Sequence, residues 1–151
     1  MKRNLRNAKM LIVEDNPDHW NLMKKAAEHC LAEVETVHAH SEQEALRFLQ
    51  DGSLQEWELP KLILLDLYLP KRENGWQLLQ QIKSMPAPFN QIPVVVLSFS
   101  NSPEDIRQVY QYGGASYLIK PTAFQDWLIY FQRLRSYWWE TVTLPQMRFY
   151  L

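Results

Sequence analysis

Two aspartates, a serine and a lysine each stand at the end of a different apolar run. Met10-Leu11-Ile12-Val13 leads into Glu14-Asp15, Leu62-Ile63-Leu64-Leu65 into Asp66, Val94-Val95-Val96-Leu97 into Ser98, and Ala115 to Ile119 into Lys120-Pro121. Each has an ordinary explanation when taken alone: a strand-end Asp caps a helix or turn, a Lys-Pro lies on the surface, and a Ser opens a loop. Their joint placement is different, because each follows its own apolar run at the same end. If the runs are neighbouring strands about 4.8 Å apart, Asp15 and Asp66 can protrude side by side. Two carboxylates ~4 Å apart repel by roughly 4 kcal/mol at an effective dielectric of 20, so a cation must sit there or one carboxyl must keep its proton. An all-oxygen site of carboxylates and a carbonyl suits Mg²⁺, which keeps several waters and takes a phosphate oxygen as a further ligand. A lysine suits the same phosphate as a point charge, and a serine hydroxyl can donate to it. An aspartate can itself be the nucleophile and form an acyl phosphate.

The elements that must hold these residues alternate. After the first strand, Asn16 is an N-cap and Pro17 the first helical residue of a segment striped with Met23, Ala26, Ala27 and Cys30. Val34 to Ala39 reads as a second strand, and Ser41 and Glu44 have capping-box spacing for a helix that stops near Gly52. Trp76 to Met85 reads as a third helix, Ser102-Pro103-Glu104-Asp105 starts a fourth that ends at Gly113-Gly114, and Thr122 caps a last one reaching Trp139 or Glu140. Five strands alternating with five helices predict an α/β protein, a five-stranded parallel sheet covered on both faces. Ligands of such sheets bind beyond the carboxyl ends of the strands. Strand order 2-1-3-4-5 is one common arrangement, and periodicity cannot choose it.

A chain of 151 residues, 46% hydrophobic and 22% charged, is one globular domain's worth of protein. Sixteen basic against 17 acidic residues give a net charge of −1, which argues against a protein that wraps nucleic acid or lies on an anionic membrane. A single cysteine, Cys30, excludes an internal disulfide and a cysteine zinc cluster. No stretch approaches the ~20 apolar residues of a membrane helix, and the basic N-terminus lacks the apolar core of a signal peptide, so a cytoplasmic protein is expected. No Gly-rich phosphate loop for a nucleotide is present. His38 and His40 alternate along the second strand, which reads as solvent-facing imidazoles with a metal pair as the alternative; His19 and His29 have no evident partner. Residues 1–8 read as a flexible arm, 9–140 as the domain and 141–151 as a tail. Nine of the 19 aromatics fall in the last 28 residues. Phe124, Trp127, Leu128 and Phe131 are expected to pack on the sheet, whereas Tyr137, Trp138, Trp139 and the tail are expected to form a homodimer or partner contact, as aromatics do at interfaces.

The segments Leu11-Ile12-Val13-Glu14-Asp15-Asn16, Leu64-Leu65-Asp66-Leu67-Tyr68-Leu69-Pro70, Val94-Val95-Val96-Leu97-Ser98 and Tyr117-Leu118-Ile119-Lys120-Pro121 together resemble the receiver domains of two-component response regulators, over about residues 9–135. The resemblance implies a flavodoxin-like (βα)5 sandwich of strand order 2-1-3-4-5. It implies that Asp66 accepts a phosphoryl group from a phosphohistidine of a sensor histidine kinase, with Mg²⁺ as cofactor. Asp15 would be the direct Mg²⁺ ligand, Glu14 a ligand directly or through water, and the Tyr68 carbonyl and Asp66 the others. Lys120 would neutralise the transferred group, Ser98 would bond it, and Tyr117 would be the aromatic switch that turns inward. Ser98 to Ser102 and the stretch from Trp138 to Pro145 are similar to the single-domain regulators that partner bacterial phytochromes. Such a protein catalyses only its own phosphorylation and dephosphorylation. Too few residues follow the last helix for a DNA-reading domain, so output would pass through protein binding or onward phosphotransfer. The alternative is a receiver-like scaffold that binds partners without phosphorylation. Three features depart from the usual pattern: Glu14 replaces a common Asp, the loop from Asp66 to Gly75 is one residue longer, and Phe99 stands where a small residue is usual. Tyr68 and Phe99 would shield an acyl phosphate from water.

Overall fold

Runs rich in Val, Ile and Leu with no polar alternation can form strands only where both faces are covered. In a computed structural model describing residues 3–149, they do. The strands are β1 (Lys9–Val13), β2 (Glu35–Ala39), β3 (Leu62–Asp66), β4 (Val94–Ser98) and β5 (Ser116–Ile119). The helices between and after them are α1 (Pro17–Cys30), α2 (Glu42–Leu49), α3 (Arg72–Ser84), α4 (Pro103–Gln111) and α5 (Phe124–Leu134). All pairings are parallel, in the order β2-β1-β3-β4-β5. Alternate residues feed two cores. Met10, Ile12, Leu62, Leu64, Val95 and Leu97 pack with α1 and with Trp127 and Phe131 of α5. Leu11, Val13, Ile63, Leu65, Val94 and Val96 pack with α2, α3 and α4. The register sets Val13 beside Leu65, Asp66 beside Leu97 and Ser98 beside Ile119, so the polar strand ends arrive at one level.

Local chemistry sets most boundaries. Asn16 Oδ1 accepts the Asp18 and His19 N–H groups at the start of α1, and Ser41 Oγ accepts that of Glu44 at the start of α2. The Glu44 carboxylate reaches the N–H of His40 rather than that of Ser41. Gly113 follows α4 with φ +96°, a conformation that favours glycine. Two helix starts differ from expectation. Ala123, not Thr122, is the N-cap residue of α5. α3 begins four residues before Trp76, and its polar opening Arg72-Glu73-Asn74 carries no apolar periodicity to announce it. A Cβ on Gly75 would lie 2.0 Å from the Leu67 carbonyl oxygen, so only glycine lets this turn pack against the segment after β3.

Neither end hangs free where it is described. Arg3–Leu5 form a 3₁₀ turn in which Asn4 is buried. Its amide donates to the carbonyls of Trp138 (3.2 Å) and Val142 (2.5 Å), and its Oδ1 accepts the Leu144 N–H (3.3 Å). Lys61 Nζ donates to the carbonyls of Arg3, Asn4 and Arg6. The expected flexible arm is thus tied down from Arg3 onward, by bonds to main-chain atoms that no residue pattern displays; residues 1–2 of the arm and 150–151 of the tail lie outside the described residues. α5 continues through a π-helical turn, Arg135–Thr141. Trp139 is completely buried in the core with Leu144 beside it, which corrects its assignment to an interface: the π turn directs the indole inward. Trp138 is half-buried, and Tyr137 is 55% exposed. Among the described residues no helix is long and apolar enough to cross a membrane.

Candidate functional site: an acidic crevice at the strand ends

β1 and β3 are neighbours in a sheet whose order reverses between them, which opens a crevice above their carboxyl ends. Asp15, Asp66, Ser98, Lys120 and the rim residues Tyr68 and Phe99 line it. Carboxylate oxygens of Glu14, Asp15 and Asp66 come within 4.8 Å of one another. Glu14, Asp66, Ser98 and Lys120 are all buried. Such a cluster survives only with compensation, and Lys120 supplies part of it. Its Nζ lies 2.6 Å from Glu14 Oε1 and 3.3 Å from Asp66 Oδ2. The second Glu14 oxygen accepts the Asn16 N–H at 3.2 Å. The tighter lysine pair is therefore with Glu14, whose longer side chain reaches across, and not with Asp66.

The compensation is incomplete at Asp66. Burial and the neighbouring Glu14 push its carboxyl up to about 8, and Lys120 pulls it back only in part. Burial and Glu14 raise Asp15 as well. Hard carboxylate oxygens converging with an excess of negative charge fit a divalent cation, by the chemistry of the donor set. Asp15 and Asp66 stand ready to hold one, while Glu14 accepts the Asn16 N–H with one oxygen and is ion-paired to Lys120 through the other, which has no hydrogen-bond partner.

The remaining expected residues are placed around this centre. Ser98 Oγ accepts the Ser100 N–H at 3.0 Å. Tyr117 is half-buried, and its hydroxyl donates to the Ser100 carbonyl at 2.6 Å, so it touches the loop that leaves Ser98. The Tyr68 N–H reaches Asp66 Oδ1 at 3.3 Å. Tyr137, Trp138 and Trp139 stand apart, where Asn4 ties down the segment after α5.

Three residues at or near the site escaped the residue patterns. His19 Nδ1 lies 3.0 Å from Lys120 Nζ. His38 Nε2 bonds the Glu14 carbonyl at 2.9 Å while its ring stacks on Trp20 at 4.0 Å; it supports the β1 end rather than facing solvent, and His40 lies beyond the strand, paired with Glu44. Asp105, in the first turn of α4, is buried and receives the Tyr68 hydroxyl (2.9 Å) and Arg72 (3.0 Å). Burial alone would raise its carboxyl, but hydrogen bonds from Ser100, Tyr68 and Arg72 outweigh that and hold it below the ordinary range.

The response regulator receiver domain model matches residues 10–131. Response regulator Rcp1 of Synechocystis sp. is 35% identical over 137 residues, 90% of this chain and 92% of that protein. Its Mn²⁺-bound crystal structure superposes with a TM-score of 0.77, covering 91% of this chain and 99% of that one. The structure of the phosphorylated cyanobacterial phytochrome response regulator RcpA is 34% identical, with a TM-score of 0.81 over 91% of this chain and 98% of that one. With the acidic crevice, the buried lysine and the sheet order in agreement, the chain belongs to the receiver-domain family and is a two-component response regulator.

Proposed function

We propose that this regulator accepts a phosphoryl group on Asp66 from a sensor histidine kinase of the phytochrome type, with Mg²⁺ as the divalent cation. The observation that carries the reading is the buried Asp66 carboxylate, held at the end of β3 with Lys120 at 3.3 Å and two further carboxylates beside it. A carboxylate oxygen forms the new O–P bond as the N–P bond of the kinase phosphohistidine breaks. Lys120 passes a hydrogen bond from the carboxylate to a phosphoryl oxygen, and Ser98 donates to another. Asp15, the Tyr68 carbonyl and Asp66 would hold the cation, with Glu14 assisting through water. When bound, Mg²⁺ supplies charge neutralisation for the transferred group. Ser98 and Tyr117 meet at Ser100, so a move of Ser98 toward phosphate shifts the population of Tyr117 and α4. The Mn²⁺ in the Rcp1 structure and the phosphorylated state of RcpA support the reading. Output would go to a protein or phosphotransfer partner in the cytoplasm, with Tyr137 and Trp138 available for a partner or homodimer contact. A phosphorylation-independent scaffold is not favoured, since such a role gives no reason to gather three carboxylates, two of them buried, around one lysine.

Intact mass after incubation with Mg²⁺ and either acetyl phosphate or a phosphorylated kinase tests this. The wild type is expected to gain one phosphoryl group and Asp66→Asn none. Equal gain by both would move the acceptor elsewhere.

Phe99 is 50% exposed, and its ring stands 5.2 Å from Lys120 Nζ, over the mouth of the crevice. Removing it should admit water to the acyl phosphate. Phe99→Ala is expected to lose its phosphoryl group ~3-fold faster or more, read as the decay of the phosphorylated mass. An unchanged half-life would show that the ring does not shield.

A further inference from the structure

A lysine ammonium has three hydrogens and no lone pair. The Lys120 ammonium is bonded to His19 Nδ1 at 3.0 Å and Asp66 Oδ2 at 3.3 Å, and it is ion-paired with Glu14 Oε1 at 2.6 Å. The contact with His19 therefore has one direction. Nδ1 accepts, and the proton of a neutral imidazole sits on Nε2. We propose that His19 is a positioning residue for phosphoryl transfer, holding one ammonium hydrogen so that another stays aimed at the Asp66 carboxylate. The inference rests on Asp66 being the phosphoacceptor.

An ammonium is a rotor about Cε–Nζ. With the Glu14 ion pair alone, Nζ is drawn toward β1 and its hydrogens are free to turn. A second acceptor in a different direction stops the rotation. His19 is suited to this because its own position is fixed. It is the third residue of α1, and its N–H is bonded to the Asn16 cap at 3.2 Å. Its ring meets Phe99 edge-on, with centroids 5.3 Å apart, so the imidazole is wedged between Phe99 and Lys120. When the phosphoryl group arrives, the hydrogen now aimed at Asp66 passes to a phosphoryl oxygen, and the bond to His19 and the ion pair with Glu14 stay in place. A site held by a rigid element and a second supporting contact keeps the precision that transfer requires.

Two measurements on the full chain test this. The first needs no phosphoryl donor: long-range ¹H–¹⁵N NMR of His19, with chelator present. The expected result is the Nε2–H tautomer with Nδ1 shifted as an acceptor, and loss of that shift in Lys120→Met. An Nδ1–H tautomer, or a resonance indifferent to Lys120→Met, overturns the contact. The second compares phosphorylation rates with acetyl phosphate as donor. His19→Leu is expected to be about tenfold slower, with the Mg²⁺ half-saturation point unchanged, and His19→Asn, whose Oδ1 falls near Nδ1, to recover most of the rate. Wild-type turnover with an equal rate in His19→Leu overturns the inference and leaves the phosphoacceptor reading standing. A shifted Mg²⁺ half-saturation point in His19→Leu also overturns it and makes His19 part of the cation site. A wild type that gains no phosphoryl group from either acetyl phosphate or a kinase sinks the reading and the inference together.

Discussion

Lys120→Met, kept in chelator, should unfold at a much lower urea concentration than the wild type, a loss of about 3–5 kcal/mol. The lysine side chain is 2% exposed and that of its nearest partner, Glu14, is 0% exposed. Methionine fills the space but leaves three carboxylates within 4.8 Å of one another without their cation. Breaking a buried pair costs more than the pair was worth, because the remaining charge has no access to water. Saturating Mg²⁺ should recover part of the loss by supplying positive charge to the same oxygens. Urea midpoints with and without Mg²⁺ measure this. A midpoint unchanged in chelator would mean that the carboxyls already hold the protons needed for neutrality.

Asp66→Asn should have the opposite sign. Burial and Glu14 put the Asp66 carboxyl at about 8 in the folded protein, against an ordinary value of 3.8. Its pKa is raised by folding, so its contribution is fully present below pH 3.8 and is lost as pH climbs through 8. Over that window the unfolded chain has released a proton that the folded protein still binds, which favours unfolding. Asparagine carries no such proton. In chelator the variant should therefore gain on the wild type by on the order of 3 kcal/mol between pH 5 and pH 8, and Mg²⁺ should narrow the gap by stabilising the wild type more. Chemical unfolding of both proteins at the two pH values checks it. Parallel curves would place Asp66 in the ordinary carboxyl range. Both results express one design: the crevice holds more carboxyl groups than Lys120 balances, and a cation would complete the balance.

The sheet was legible because β1, β3 and β4 are buried on both faces, which leaves apolar runs with no other reading. The same runs display Asp15, Asp66 and Ser98, and the half-buried β5 displays Lys120, since each stands where an apolar pattern stops. Other parts are invisible to pattern for definite reasons. His19 meets a lysine 101 positions away, and Asp105 a tyrosine 37 away; a histidine or aspartate near a helix start looks the same with or without such a partner. Trp139 could not be assigned from its type, because a tryptophan suits a core and an interface equally; the π turn after α5 decides it. Glu14 was legible as an acid, but the consequence of one methylene, a carboxyl oxygen reaching Lys120, depends on distances that spacing does not contain.

The tie between Asn4 and Leu144 joins residues 140 positions apart. During translation at ~5–20 residues per second, Asn4 waits roughly 7–28 s for its last partner to be made. The buried residues of the core formed with α2, α3 and α4 are all made in that interval, whereas the other core includes Trp139 and Leu144 themselves. The underside covered by Trp139 and Leu144 stays open to solvent until then. The clamp is thus among the last contacts that synthesis makes possible, and a chain cut before Leu144 lacks the residues that finish this core.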